Sequence, residues 1–196
     1  MVPQPSPPSK TRKKALIALG GNVTSTQGGP VATLSRALDA LAGSGVEISA
    51  CSRFYQTPCF PPGAGPDFVN ACAAVLTDLG PEDLLARLHE IEADFGRERD
   101  ERWGARPLDL DLLAYGDAVR PDQTTFAVWR DLPLDVQKTR APTQLILPHP
   151  RLQDRGFVLI PLADIAPDWR HPVSGQTVAE MVQALPEAEK TDIVPL

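Results

Sequence analysis

The pattern of apolar and polar positions predicts alternating strands and helices over the first 116 residues. Strand segments show apolar runs or a two-residue alternation, whereas helix segments have apolar residues three and four positions apart. Pro81 and Gly96 suit the start and the end of the second helix. The predicted strands are 15–22, 46–57, 67–79 and 108–116, and the predicted helices are 31–45 and 80–96. We expect the first strand to end in a glycine turn.

This order, β-α-β-β-α-β, predicts an α+β fold with a ferredoxin-like core and a mainly antiparallel sheet. Residues 1–14 predict a disordered arm, and 15–196 predict one domain. Residues 118–143 have few periodic signals, so we expect an insertion there, with turns at 131–134 and 141–142 around one short helix. Beyond it, 145–167 predicts a short strand, a loop and an amphipathic helix. The segment 174–185 predicts a last helix capped by Ser174 or Thr177.

Composition narrows the class of function. The chain has 196 residues, a formal net charge of −6 and 42% hydrophobic residues, which is typical of a globular domain and argues against general nucleic-acid binding. Its three cysteines lack metal-ligand spacing, so we expect neither a disulfide framework nor a zinc site, and a cytoplasmic location. We find no apolar stretch long enough for a membrane span and no secretory signal.

Two aspartates in the segment RWGARPLDLDLLAYG (102–116) are the first candidate for chemistry. Side chains alternate along a strand, so Asp109 and Asp111 point to the same face with their Cα atoms about 6.6 Å apart. Two like charges near a core repel each other and resist desolvation. Either positive charge lies between them or the pair lies on a solvated face. Carboxylates on rigid strand positions also suit Mg²⁺, which shares phosphate oxygens.

The residues before these aspartates are rich in arginine. Arg97, Arg99, Arg102 and Arg106 fall within ten positions of an acidic chain, and Trp103 lies beside a glycine. Such a run is often a solvated surface, but the guanidinium group also binds two phosphate oxygens at once. A loop with arginine and tryptophan could close over a nucleotide and exclude water.

A third candidate group combines a histidine, an arginine and aromatic residues. His149 and Arg155 add phosphate donors, while Phe68 and Phe157 could stack on a flat heterocycle. Asn70 could then bind the edge of that ring as donor and acceptor. A structural histidine and two core phenylalanines are the alternative interpretation.

These segments together resemble one family, the 6-hydroxymethyl-7,8-dihydropterin pyrophosphokinases of folate biosynthesis. The resemblance covers roughly 15–185, and its RWG-x-R-x-LDLD block is highly specific. It rests on FYQTPCF (54–60), PDFVNACAAV (66–75), GRERDERWGARPLDLDLL (96–113) and LPHPRLQDRGFVLIPL (147–162). It implies a three-layer α-β-α fold and transfer of diphosphate from ATP to the pterin hydroxymethyl oxygen, with AMP as the other product. It also implies a monomer that binds ATP and the pterin, but neither nucleic acid nor a membrane.

The resemblance assigns roles to residues by their position in these motifs. Two Mg²⁺ ions would be held by Asp109 and Asp111. The catalytic residues would be Arg97, Arg99, Trp103, Arg106 and Arg155. The pterin pocket would contain Thr57, Pro58, Phe60, Phe68, Asn70 and Phe157. The ATP-binding residues would be Glu92, Arg102, Arg106, Leu112, His149 and Arg155.

The chain departs from the family pattern at a few positions. GGN (20–22) replaces the more usual GSN, Phe68 replaces a frequent tyrosine, and His89 stands where glutamine can meet the nucleotide. The arginine-rich loop between Arg97 and Trp103 is one residue shorter than in the best-known form of the family. The insertion at 118–143 is long and lies between the aspartate strand and the His149 segment.

Two other functions are compatible with parts of the pattern. A polymerase-β-like nucleotidyltransferase also pairs a glycine-rich turn with a DxD strand, but Gly21 and Asp109 are far apart here. That class would release pyrophosphate instead of AMP. A non-catalytic ferredoxin-like binding module would tolerate loss of Asp109 and Asp111 and would use no ATP.

Overall fold

The computed structural model describes residues 12–43, 45–59, 65–96, 106–133, 136 and 139–196. Its strands and helices follow the predicted order. The strands are β1 (Lys13–Gly21), β2 (Val46–Cys51), β3 (Tyr55–Thr57), β4 (Phe68–Thr77), β5 (Asp109–Tyr115) and β6 (Val194–Pro195). The α-helices are α1 (Pro30–Ala42), α2 (Pro81–Asp94), α3 (Gln123–Arg130), α4 (Gly156–Ile165), α5 (Val178–Ala184) and α6 (Glu187–Thr191), and a 3₁₀ turn covers Leu152–Asp154.

The strands form one antiparallel sheet with the order expected for a ferredoxin-like core. β5 pairs with β1, β1 with β4, and β4 with both β2 and β3 along its other edge. The predicted strand 46–57 is therefore split in two. At the break, the Ser52 hydroxyl accepts the amide proton of Cys72 at 2.9 Å. A side-chain oxygen thus replaces a backbone acceptor where the strand leaves its register.

The sheet lies between two helical layers because its residues alternate between two cores. Ile17 faces α1 and α2, where it packs with Leu34 and Leu88. Leu16 faces α4 and packs with Leu159 on the opposite side. Both positions are 1% exposed or less. The ferredoxin-like, three-layer prediction is confirmed.

The ends of β1 differ from the prediction. Lys13 and Lys14 pair with Thr77 and Leu76, so the strand begins two residues inside the expected arm. The rest of that arm, residues 1–11, lies outside the described residues. Gly20 and Gly21 are not in a turn, because β1 continues through both. Backbone pairing to β4 keeps this segment extended despite the low strand propensity of glycine.

The last third of the chain contains elements that periodicity did not reveal. α3 lies in the predicted insertion and ends before the turn at 131, and Val136 and Thr139 are helical as expected. Thr177, rather than Ser174, caps α5 in a reciprocal pair with Glu180. This helix is not the last, since α6 and β6 follow it. In the described ranges, no helix has the length and apolar character needed to cross a membrane.

Candidate active site

The two aspartates of β5 project from the same face of the sheet. The Asp109 side chain is 28% exposed and the Asp111 side chain 36% exposed. Leu110 and Leu112, by contrast, are buried in the core under α1 and α2. Asp109 lies opposite Gly20 on β1, at the end of the sheet. The carboxylates therefore have the common orientation that their spacing predicted.

Each aspartate faces an arginine from a different segment. A terminal guanidinium nitrogen of Arg106 lies 3.2 Å from Asp109 Oδ2, and one of Arg155 lies 3.5 Å from Asp111 Oδ2. Both contacts are partly exposed, so they are screened and weak. The positive charge that the aspartate pair requires thus comes at least partly from these two arginines.

The donor set at this site suits Mg²⁺ with a nucleotide. Among the described residues, no group of three His, Cys, Asp or Glu side chains could enclose a metal ion. Mg²⁺ is commonly bound by one or two carboxylates, with phosphate oxygens and water completing the coordination. Asp109 and Asp111 provide those two carboxylates, and the adjacent arginines suit the phosphates.

His149 lies along the free edge of β5 in a neutral form. Its amide donates to the Leu113 carbonyl at 2.7 Å, and its Nδ1 accepts the Arg151 amide proton at 3.1 Å. Burial and the nearby charge of Arg155 lower the pKa of His149 to about 3. Because Nδ1 is an acceptor, the single proton is on Nε2, which makes that nitrogen a hydrogen-bond donor.

Asn70 and Thr57 form a buried polar pair on the same face of the sheet as the aspartates. Asn70 Nδ2 donates to Thr57 Oγ1 at 2.8 Å, and both residues are less than 10% exposed. The Asn70 side chain lies over Gly20, where a Cβ atom would be 2.7 Å from Asn70 Oδ1. Gly20 therefore leaves room for Asn70 between β3 and the aspartate strand.

The two predicted ring-stacking residues lie on β4 and at the start of α4. Phe68 begins β4 and shares a strand face with Asn70, while Phe157 lies at the start of α4, which covers that face. Phe157 is 40% exposed. The Arg155 guanidinium lies 5.7 Å from the centre of the Phe157 ring. Pro58, adjacent to Thr57, is exposed.

Asn22 bonds to two loops of the site, and Gly21 lies close to one of them. Neither role was identified from the sequence. Asn22 Oδ1 accepts the Arg106 amide proton at 2.9 Å, and its Nδ2 donates to the Pro66 carbonyl at 3.1 Å. A Cβ atom at Gly21 would lie 2.4 Å from the Pro107 carbonyl oxygen. The signal was present as a Gly-Gly-Asn sequence directly after the apolar run of β1.

Two predicted ATP-binding residues lie away from the aspartate face. Glu92 is 1% exposed on α2 and accepts the Leu110 amide proton at 2.7 Å, beneath the strand. Leu112 is 3% exposed in the same core. Their nucleotide-binding roles stay predictions. The contact that Glu92 makes is with the backbone of β5. The remaining predicted residues, Phe60, Arg97, Arg99, Arg102 and Trp103, lie outside the described residues.

The family model of 7,8-dihydro-6-hydroxymethylpterin-pyrophosphokinase (HPPK) matches residues 16–167. The chain belongs to the HPPK family. A Synechocystis 2-amino-4-hydroxy-6-hydroxymethyldihydropteridine pyrophosphokinase is 40% identical over 171 residues, which cover 86% of this chain and 74% of that protein. The Pseudomonas aeruginosa protein of the same name is 38% identical over 175 residues, 89% of this chain and 93% of that one.

Solved structures of HPPK-containing proteins share the fold. Plasmodium falciparum HPPK-DHPS superimposes with a TM-score of 0.61 and 14% identity over 90% of this chain and 45% of that chain. A structure described as HPPK-DHPS in complex with substrates gives a TM-score of 0.62 at 13% identity, over 92% of this chain and 44% of that one. This chain therefore spans less than half of these longer proteins. At such identity the similarity concerns the fold alone.

Proposed function

We propose that this HPPK-family enzyme transfers the diphosphoryl group of ATP to 6-hydroxymethyl-7,8-dihydropterin in folate biosynthesis. The hydroxymethyl oxygen attacks the β-phosphorus, the bond from that phosphorus to the α-phosphate oxygen breaks, and AMP leaves while the hydroxyl proton is lost. The observation that carries this proposal is the placement of Asp109, Asp111, Arg106 and Arg155 beside the Asn70–Thr57 pair on one sheet face.

Asp109 and Asp111 would hold Mg²⁺, and we propose two ions bound together with ATP. Mg²⁺ held there would neutralise phosphate charge and polarise the phosphorus towards attack. The two carboxylates lie on β5, an edge strand that pairs with β1, so a sheet element rather than a loop fixes their positions.

The arginines and His149 would bind the triphosphate. Arg106 and Arg155 are adjacent to the aspartates, and on nucleotide binding they would exchange a partly exposed carboxylate contact for phosphate oxygens. The Nε2 proton of the neutral His149 adds a donor without a further charge. Stabilisation of charge that develops during transfer is the expected contribution of this group.

The pterin would lie between Phe68 and Phe157, with Asn70 at its edge. Asn70 Nδ2 already donates one proton to Thr57, which leaves its second amide proton and its Oδ1 atom for the ring. No side chain among the described residues is an obvious general base, so positioning of the hydroxyl is the main effect that we assign to this subsite. The cytoplasmic location and the monomeric state stay predictions.

The proposal is tested by following nucleotide products with ATP, Mg²⁺ and the pterin. We expect AMP only when all three are present, and a loss of roughly 10³-fold in turnover for Asp111→Asn. Asp117→Asn is the matched control, since Asp117 is exposed just beyond β5. Formation of ADP or pyrophosphate, or near-normal turnover by a folded Asp111→Asn variant, would contradict the proposal.

A further inference from the structure

Residues 187–196 contact β3 and α4, which are two of the three elements that present the proposed pterin residues. We infer that residues 187–196, here called the C-terminal brace, position the pterin subsite through Ile193 and β6. This inference rests on the proposed function, because it concerns how tightly that subsite holds its substrate. The family match ends at residue 167, so the brace lies beyond the part of the chain that the family model matches.

The first contact is with β3, whose last residue is Thr57. β6 pairs with it antiparallel, with Val194 opposite Gln56 and Pro195 opposite Tyr55. The amide of Leu196 donates to the Phe54 carbonyl at 2.9 Å. β3 has only three residues, and so short a strand gains order from a partner on its second edge. The brace thereby restricts the segment that carries Thr57 and Pro58.

The second contact is with Gly156, between Arg155 and Phe157. A Cβ atom at Gly156 would lie 3.0 Å from Ile193 Cδ1 and 3.0 Å from Glu189 Oε2. These side chains therefore lie directly on the backbone at the first residue of α4. Glycine permits this close approach, and the approach limits movement of the first turn of the helix.

Phe157 depends on this contact more than Arg155 does. Arg155 is also held near Asp111 at 3.5 Å, whereas the Phe157 ring is 40% exposed and has the Arg155 guanidinium 5.7 Å from its centre. Its position is set mainly by the backbone at the start of α4. The brace should consequently affect binding of the pterin more than binding of ATP.

The test compares Ile193→Ala, Ile193→Val and a chain that ends at Ile193 and so lacks β6. Loss of binding that the ground state and the transition state share raises KM and leaves kcat unchanged. We expect Ile193→Ala and the shortened chain to raise the KM for the pterin roughly tenfold, with kcat and the KM for ATP within about twofold. Ile193→Val should retain near-normal values. Val31→Ala, an exposed apolar truncation on α1 (41% exposed), is the control.

A double-mutant cycle tests whether Ile193 acts through Gly156. Gly156→Ala alone should raise the pterin KM by crowding, and its effect should be smaller in the Ile193→Ala background, where the added methyl group has room. Strictly additive effects would contradict this route. Equal changes in the KM for ATP and for the pterin, or no change in a folded variant, would overturn the positioning role.

A binding measurement separates this inference from the proposed function. Pterin affinity is measured by fluorescence with a non-hydrolysable ATP analogue, so it does not depend on turnover. Wild-type protein that binds the pterin but forms no AMP would contradict the proposed function alone. AMP formation by the wild-type protein, together with unaltered pterin affinity in both Ile193→Ala and the shortened chain, would contradict the positioning role of the brace alone.

Discussion

Replacing Asn22 by alanine should destabilise the protein and displace the backbone that carries Arg106. Asn22 is 6% exposed, and its side chain joins two loops on either side of β1. The substitution removes its bond to the Pro66 carbonyl, which contributes about 1 kcal/mol, and leaves the Arg106 amide without its acceptor, which costs about 1–3 kcal/mol. Together these losses lower the free energy of unfolding by about 3 kcal/mol.

Asn22→Asp tests the acceptor role alone, because it retains an oxygen for the Arg106 amide but turns the donor to Pro66 into a charged oxygen that faces the Pro66 carbonyl. The Tm of Asn22→Ala, measured by thermal unfolding, should be roughly 6–12 °C below that of the wild type. Turnover should fall further in Asn22→Ala than in Asn22→Asp, because only the alanine variant frees the backbone of Arg106, which lies 3.2 Å from Asp109. A free energy of unfolding within about 0.5 kcal/mol of wild type, together with full activity, would refute the anchoring role.

Three further predictions concern the site itself. Gly20→Ala should raise the pterin KM more than the ATP KM in steady-state assays, because a Cβ atom would lie 2.7 Å from Asn70 Oδ1; equal changes would contradict this. Asp109→Asn should lower turnover roughly 10³-fold without lowering Tm, and a folded variant with normal turnover would exclude a metal role. Burial lowers the pKa of His149 to about 3. Between that pH and the ordinary pKa of histidine, the unfolded chain binds more protons than the folded chain, so stability rises with pH in this range. His149→Gln should therefore show a shallower dependence of Tm on pH between about 4 and 6.5, and an unchanged slope would contradict a histidine that is neutral in the folded protein.

The core strands and helices were predictable because their burial follows simple periods. Ile17 and Leu16 face opposite cores, and Leu110 alternates with the two aspartates. Sequence patterns report this alternation directly. The common face of Asp109 and Asp111 followed from the same rule.

The elements that the sequence did not reveal depend on tertiary contacts. β6 has two residues and is ordered by pairing with β3, so no local pattern predicts it. α3 has one fully buried residue, Phe126, which packs against His171. The split between β2 and β3 depends on Ser52 bonding to Cys72, a contact between residues distant in the chain.

The loop anchors were visible in the sequence but could not be interpreted from it. Gly20 and Gly21 suggested a turn, whereas each glycine leaves room for a neighbouring group, Asn70 and Pro107 respectively. The burial of Glu92 under Leu110 likewise depends on how α2 packs on β5. A close approach between elements has no periodic signal.

The number of metal ions that the aspartates of β5 bind is the quantity to measure first. Mn²⁺ replaces Mg²⁺ in a titration followed by electron paramagnetic resonance, with a non-hydrolysable ATP analogue and the pterin present. The account predicts two Mn²⁺ ions per wild-type chain, two for the control Asp117→Asn, and fewer or more weakly bound ions for Asp111→Asn. The same number and affinity of ions in Asp111→Asn as in wild type would contradict the claim that β5 holds the metal.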